Sequence, residues 1–294
     1  ANVCVMGELD SLIMPSHEKA QKDTGYFHGC GHHAQIATII GVAYALVKSE
    51  LVKELDGDLT FIGVPAEEVI ELEYRNELIK AGKISFVSGK QELIKLGEFD
   101  DVDMVFMSHI MGHTPDAKSW VGHSWNGVVN KTVQFTGRGA HAGLAPERGI
   151  NALEACITSC NAINAIRERF YDEDHVRVHY IISKGGTSAN VVPDDVRMEM
   201  GVRASSVEKM LEANERVERA LHFGADSVGA QCETNSFGAY LPCHQNYELG
   251  QAYLDNARAI IGEENVTDSF KEFRGSSTDC GDVACLKPLI HPYF

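Results

Sequence analysis

The sequence predicts an α/β fold: a mostly parallel sheet, interrupted by an inserted α+β domain in the ferredoxin-like order. Three observations lead there. In the first hundred residues, short apolar runs alternate with segments of helical period. Side chains able to do chemistry fall at the carboxyl ends of those runs, where open parallel sheets carry their sites. After about residue 117 the rhythm changes to strand–helix–strand–strand–helix–strand, the split βαβ arrangement.

Taken in order, residues 2–7 read as a buried strand, with Glu8 and Asp10 at its carboxyl end. A polar loop covers 16–29 and a helix about 33–49. Residues 59–64 form a second strand, closed by Pro65 and followed by Glu67 and Glu68. Helical pattern returns over 70–97, broken near Gly82; this stretch offers no motif for substrate choice. A third strand over 102–108 delivers His109. In the inserted segment, 125–135 is a strand, 137–141 a turn and 150–170 an amphipathic helix. Strands at 176–182 and 196–203, a helix at 207–223 and a strand at 231–240 complete it. A helix over 247–261, a turn at 275–279 and a strand at 288–291 follow. The expected division is therefore 1–116 and 241–294 for the sheet domain, and 117–240 for the insertion.

The chain has 294 residues, enough for two domains and a large core. A net charge of −16 argues against nucleic acid or an anionic membrane as partner. Eight scattered cysteines form no disulfide framework, so a reducing, cytoplasmic setting is expected. No apolar run is long enough to span a membrane, and no signal peptide is visible. The abrupt start and end lead us to expect that more chain belongs on either side.

The stretch around which the rest is organised is Cys30-Gly31-His32-His33. A thiolate and an imidazole two residues apart can reach one metal, and both suit zinc. The alternative is a buried cysteine beside a surface histidine. In Glu67-Glu68, one carboxylate can bind a metal while its neighbour holds a water for attack; the alternative is a solvated acidic turn. His109 and His291, lone histidines at strand ends, are either hydrogen-bonded residues or further ligands. Asp10 and His33 are candidates for orienting a ligand imidazole. His141, Asn190 and Arg203 could bind an oxyanion and a carboxylate, or simply cap and solvate. His17, His28, His113 and His123 read as ordinary surface or core histidines.

Together these motifs resemble the metallo-amidohydrolases and peptidases that include glutamate carboxypeptidase and aminoacylase. The nearest likeness is to the branch of aminobenzoyl-glutamate hydrolase and the auxin-conjugate (N-acyl-amino-acid) hydrolases, which uses Cys-Gly-His. The matching pieces are Cys30-Gly31-His32, Pro65-Ala66-Glu67-Glu68, His109, Gly139-Ala140-His141-Ala142 with Pro146 and Gly149, Gly185-Gly186-Thr187, Asn190-Val191-Val192-Pro193, Arg203, Ser277-Thr278-Asp279 and His291-Pro292. They fall in the family's order. Position 33 departs: the family mostly has Asp or Asn where this chain has His33. Family members also carry a strand–helix region upstream and a helix downstream.

The resemblance implies that Cys30, His32, Glu68, His109 and His291 hold two divalent metals. Zinc comes first, with manganese, cobalt and nickel as alternatives. Glu67 would activate the water and protonate the leaving amine. His141 and Asn190 would support the oxyanion, and Arg203 would bind the substrate carboxylate. The inserted domain would act as lid and homodimer contact. The expected function is metal-dependent hydrolysis of the amide bond in N-acyl amino acids or small peptides. The alternatives are a dipeptidase or carboxypeptidase on the same scaffold, a catalytically silent metal-binding homologue, or a structural zinc site.

Overall fold

A computed structural model describes residues 1–68, 70–111 and 118–294. His113 and the expected boundary at 116/117 lie outside the described residues. The elements are β1 (Asn2–Glu8), β2 (Leu12–Ile13), β3 (Tyr26–Phe27), α1 (His32–Lys48), β4 (Asp58–Val64), α2 (Leu72–Lys80), α3 (Gly89–Leu96), β5 (Met104–Met107), β6 (Ser119–Val121) and β7 (Ser124–Trp125). Next come β8 (Gly127–Thr136), α4 (Ala152–Ile166), β9 (Arg177–Lys184), β10 (Asp195–Ala204), α5 (Val207–Val228) and β11 (Gln231–Tyr240). The chain closes with α6 (Tyr247–Ile261), β12 (Val266–Asp268), β13 (Phe273–Arg274), α7 (Cys280–Ala284) and β14 (Leu289–Ile290).

The chain divides into two units. The first holds residues 1–125, 243–274 and 278–294; the second holds 126–242 and 275–277. In the first unit, a four-stranded sheet runs β14-β5-β1-β4. Every pair in it is parallel, with Cys4 opposite Thr60 and Val105. Cys4, Met6, Val64, Val105, Met107, Cys280 and Leu289 meet in its core. Buried strands of a parallel sheet read as short continuous apolar runs, which is how β1 appears; β4, at the sheet edge, is apolar in sequence but fully buried only at Val64. The helical stretch over 70–97 resolves into α2 and α3, separated around Gly82, whose φ is +66°.

In the second unit the sheet order is β11-β8-β10-β9, antiparallel throughout. Residues Val196, Met198, Met200 and Val202 alternate into a core with Val133, Phe135, Ala155, Ile163, Val217 and Leu221. A period of two on β10 thus meets a helical stripe on α4 and α5. Ser206 caps α5 through Lys209 N–H, and Gly229 at φ +75° ends it, five residues beyond the expected stop. Helix α4 ends at Ile166 rather than Phe170, passing into a 3-10 turn over Arg167–Arg169.

Three pieces of the first unit escape the periodicity. The pairs β6–β12 and β7–β13 and the five-residue α7 are too short to carry a period. As a result Trp125, expected to open the inserted strand, lies on β7 in the first unit.

Candidate metal centre

Four loops leave the parallel sheet at its carboxyl edge, and each brings a donor. Cys30 and His32 come from the entry to α1. Between them Gly31 adopts φ +85°, and a Cβ there would lie 2.2 Å from the Ile110 side chain. Only glycine tolerates both the left-handed backbone and that approach. Glu67 and Glu68 follow β4 through Ala66, whose φ of +60° is unusual for a residue with a side chain. His109 follows β5 and His291 follows β14.

The side chains converge. Cys30 Sγ lies 3.4 Å from His109 Nε2. The His109 Nδ1 hydrogen goes to the Ile110 carbonyl at 2.6 Å, which leaves Nε2 as the lone-pair nitrogen facing the thiol. Donor atoms of Cys30, His32 and His109 fall within 4.8 Å of one another, as do those of Glu8, His32 and Glu67. His32 is wholly buried; its Nε2 is 4.0 Å from both Glu67 Oε2 and Glu68 Oε1. Asp10 bridges the loops: Oδ1 accepts from His32 Nδ1 at 3.0 Å, and Oδ2 accepts from the Glu68 amide at 2.8 Å. His291 is buried, with its ring 5.8 Å from that of His109.

Electrostatics follows from crowding. Burial, then the charges of Glu8 and Asp279, push the Glu67 carboxyl well above the ordinary range. Burial raises Glu68 and the Cys30 thiol too. Burial opposes charge on His32, but the hydrogen bond to Asp10 and the nearby Cys30 and Glu8 outweigh it and hold its pKa up. His291 is pushed down to about 3 by burial and by neighbouring His109.

The donor set fits a divalent metal. With Nδ1 of His32 tied to Asp10, Nε2 points into the cluster. It is buried there without a well-formed hydrogen bond, as are Glu68 Oε1 and His291 Nδ1. Groups of this kind cost stability unless something satisfies them. Sulfur, imidazole and carboxylate together suit zinc, with open positions to spare.

The other expected residues are placed as follows. His33 is exposed and leans on His28, with ring centroids 5.0 Å apart. His17 stacks on Phe27 at 3.8 Å. In the second unit, His141 and Asn190 sit on adjoining exposed loops, tied by the Ala142 amide donating to the Asn190 carbonyl at 2.9 Å. His141 Nδ1 accepts from the amides of Gly143 and Leu144 at 3.2 and 3.1 Å. Arg203 is half-buried on β10. His123, which reads as ordinary, is fully buried against Trp125 with both ring nitrogens unpartnered.

Lys90 carries no signal in the sequence, and Asp279 shows there only as the end of the Ser277-Thr278-Asp279 motif. Both are fully buried, together with Glu8. Glu8 was visible at a strand end, but a lysine in a helical stretch ordinarily belongs to a solvated face.

The chain is similar to several known proteins. Residues 125–226 match the peptidase dimerisation domain of the M20 type. The human "Xaa-Arg dipeptidase" is 28% identical over 277 residues, covering 92% of this chain and 57% of that protein. The "N-acetylcysteine deacetylase" of Bacillus subtilis is 27% identical over 270 residues, covering 90% of this chain and 66% of that protein. The chain thus spans between half and two thirds of the length of these curated relatives. Among solved structures, a Bacillus subtilis protein described as a dinuclear metal binding peptidase from the M20 family superposes with a TM-score of 0.68 at 21% identity, over 99% of this chain and 71% of that one. The chain is thus similar to M20 peptidases over its dimerisation domain and in fold, in keeping with the family its motifs resemble.

Proposed function

We propose that this protein is a two-metal amidohydrolase that cleaves the amide bond between an acyl group and an amino acid. The observation that carries the reading is the convergence of Cys30, His32, Glu68 and His109 beside an unusually basic carboxylate, Glu67. In this reading Cys30, His32, Glu68, His109 and His291 hold the metals, zinc first. A divalent ion so held polarises the amide carbonyl and acidifies water.

The remaining chemistry belongs to the chain. Glu67 takes the proton of the attacking water and delivers it to the departing amine. A carboxylate of ordinary pKa is too weak a base for the first step and too weakly protonated for the second; burial beside Glu8 and Asp279 corrects both. Asp10 holds His32 in the tautomer that presents Nε2. His141 and Asn190 are assigned the oxyanion, and Arg203 the substrate carboxylate, on the strength of the family likeness. The inserted domain is assigned to homodimer formation, supported by the match over 125–226. A cytoplasmic location is part of the same reading; among the described residues no helix is long and apolar enough to cross a membrane.

A second reading, a dipeptidase on the same scaffold, is favoured by the likeness to the Xaa-Arg dipeptidase. A screen of N-acyl amino acids beside dipeptides, in zinc and in manganese, separates the two. Glu67→Gln is expected to lower turnover by at least about 100-fold with metal still bound. Full turnover in that variant would contradict the assigned base. Sedimentation is expected to show a dimer.

A further inference from the structure

Behind the donor cluster lies a second set of charges that the proposed reaction does not use. Lys90, on the first turn of α3, is completely enclosed. Its Nζ donates to Glu8 Oε1 at 2.5 Å and to Asp279 Oδ1 at 2.5 Å. Gln35 Nε2 donates to the other oxygen of Glu8 at 2.8 Å, and the Glu8 amide donates back to Gln35 Oε1 at 2.9 Å. The Glu8 carboxylate is therefore pinned on both oxygens. The pinned Oε2 lies 3.0 Å from Nε2 of His32. Since Asp10 holds Nδ1 at 3.0 Å, the imidazole sits between two fixed carboxylates. Asp279, by contrast, bonds to Lys90 and to Ser88 Oγ, one step further from His32 than Glu8.

We propose that Glu8, clamped by Lys90, is a positioning residue for the metal centre: with Asp10 on the other side it fixes the His32 ring, so that Nε2 is already in place when a metal arrives and displaces its proton to solvent. Lys90 makes this possible by supplying a fully buried positive charge that lets an ionised Glu8 stand next to Glu67 and Glu68. The proposal rests on reading the cluster as a metal centre. A ligand pre-set by its supporting carboxylates loses less freedom on binding, and such supports commonly govern affinity as much as the ligands do.

The full chain offers a paired test. Glu8→Gln and Asp279→Asn each leave Lys90 with a single carboxylate, so both perturb the buried charges alike. Only the first removes the charge that faces His32. Zinc affinity is read by competition with a chromophoric chelator, beside the thermal midpoint of the metal-free protein. Glu8→Gln is expected to weaken zinc by about 10- to 100-fold, and Asp279→Asn to leave affinity within about threefold. Equal losses in the two would overturn the proposal and reduce the network to core packing. If Glu8→Gln does not fold, Gln35→Leu frees the same Glu8 oxygen without altering any charge. It is expected to lose affinity likewise; unchanged affinity there overturns the proposal. Wild-type protein that takes up no zinc at all would overturn the metal-centre reading and this inference together.

Discussion

Each of the two units buries one lysine, and the two are buried differently. Lys131, on β8, pairs with Glu218, whose side chain is 23% exposed. Its charge is shared with a carboxylate that still touches water. Lys90 pairs with Glu8 and Asp279, which are 1% and 0% exposed. All three side chains of that triad are closed off from the surface. The contrast reflects what each unit is built to do. The second unit is held by an apolar core of alternating strand residues against two helices, and its lysine is an exception at the margin. The first unit gathers Asp10, Glu67 and Glu68, a thiol and three imidazoles at one sheet edge. Its buried cation offsets charge that the site requires.

Removing the cations should expose that difference. Lys90→Met leaves two uncompensated buried carboxylates, and its expected cost is about 3–5 kcal/mol, read by denaturant unfolding of the metal-free protein. A cost near zero would mean that Glu8 and Asp279 share a proton instead of a lysine. In the second unit the large effect should come from apolar truncation. Leu221→Ala, at a fully buried position on α5, should cost about 2–5 kcal/mol while leaving metal content unchanged. Metal loss in that variant would contradict the independence of the two cores.

A smaller effect concerns pH. Burial and the Arg274 charge push His123 down to about 3, from an ordinary value of 6.5. A histidine held neutral in the folded state contributes stability above pH 6.5 and loses it as pH falls toward 3, because the unfolded chain takes up the proton first. The metal-free thermal midpoint should therefore decline on acidification below 6.5, and His123→Phe should flatten that slope. The smallest change is expected from Lys131→Met, since its carboxylate can turn to solvent. A penalty equal to that of Lys90→Met would erase the distinction between the units.

What could be read in the sequence divides along the same line. Val196 to Val202 and Val217 to Leu221 announce their strand and helix by period, because a single apolar core imposes one. Cys30-Gly31-His32 is legible for another reason: the motif is local, and Gly31 is required by its own backbone. Glu67-Glu68 and Asp10 are likewise recognisable at strand ends. Lys90 is not. It lies 82 residues from Glu8 and 189 from Asp279, and only the parallel topology joins them. His123 is hidden in the same way, on a two-residue link between strands too short to show a period.

The central claim is that Cys30 and His32 belong to a two-metal centre. Elemental analysis of protein purified without chelator, beside Cys30→Ser, tests it most directly. The account predicts about two divalent ions per chain, with loss in the variant. One ion unaffected by the substitution, or none, would contradict it.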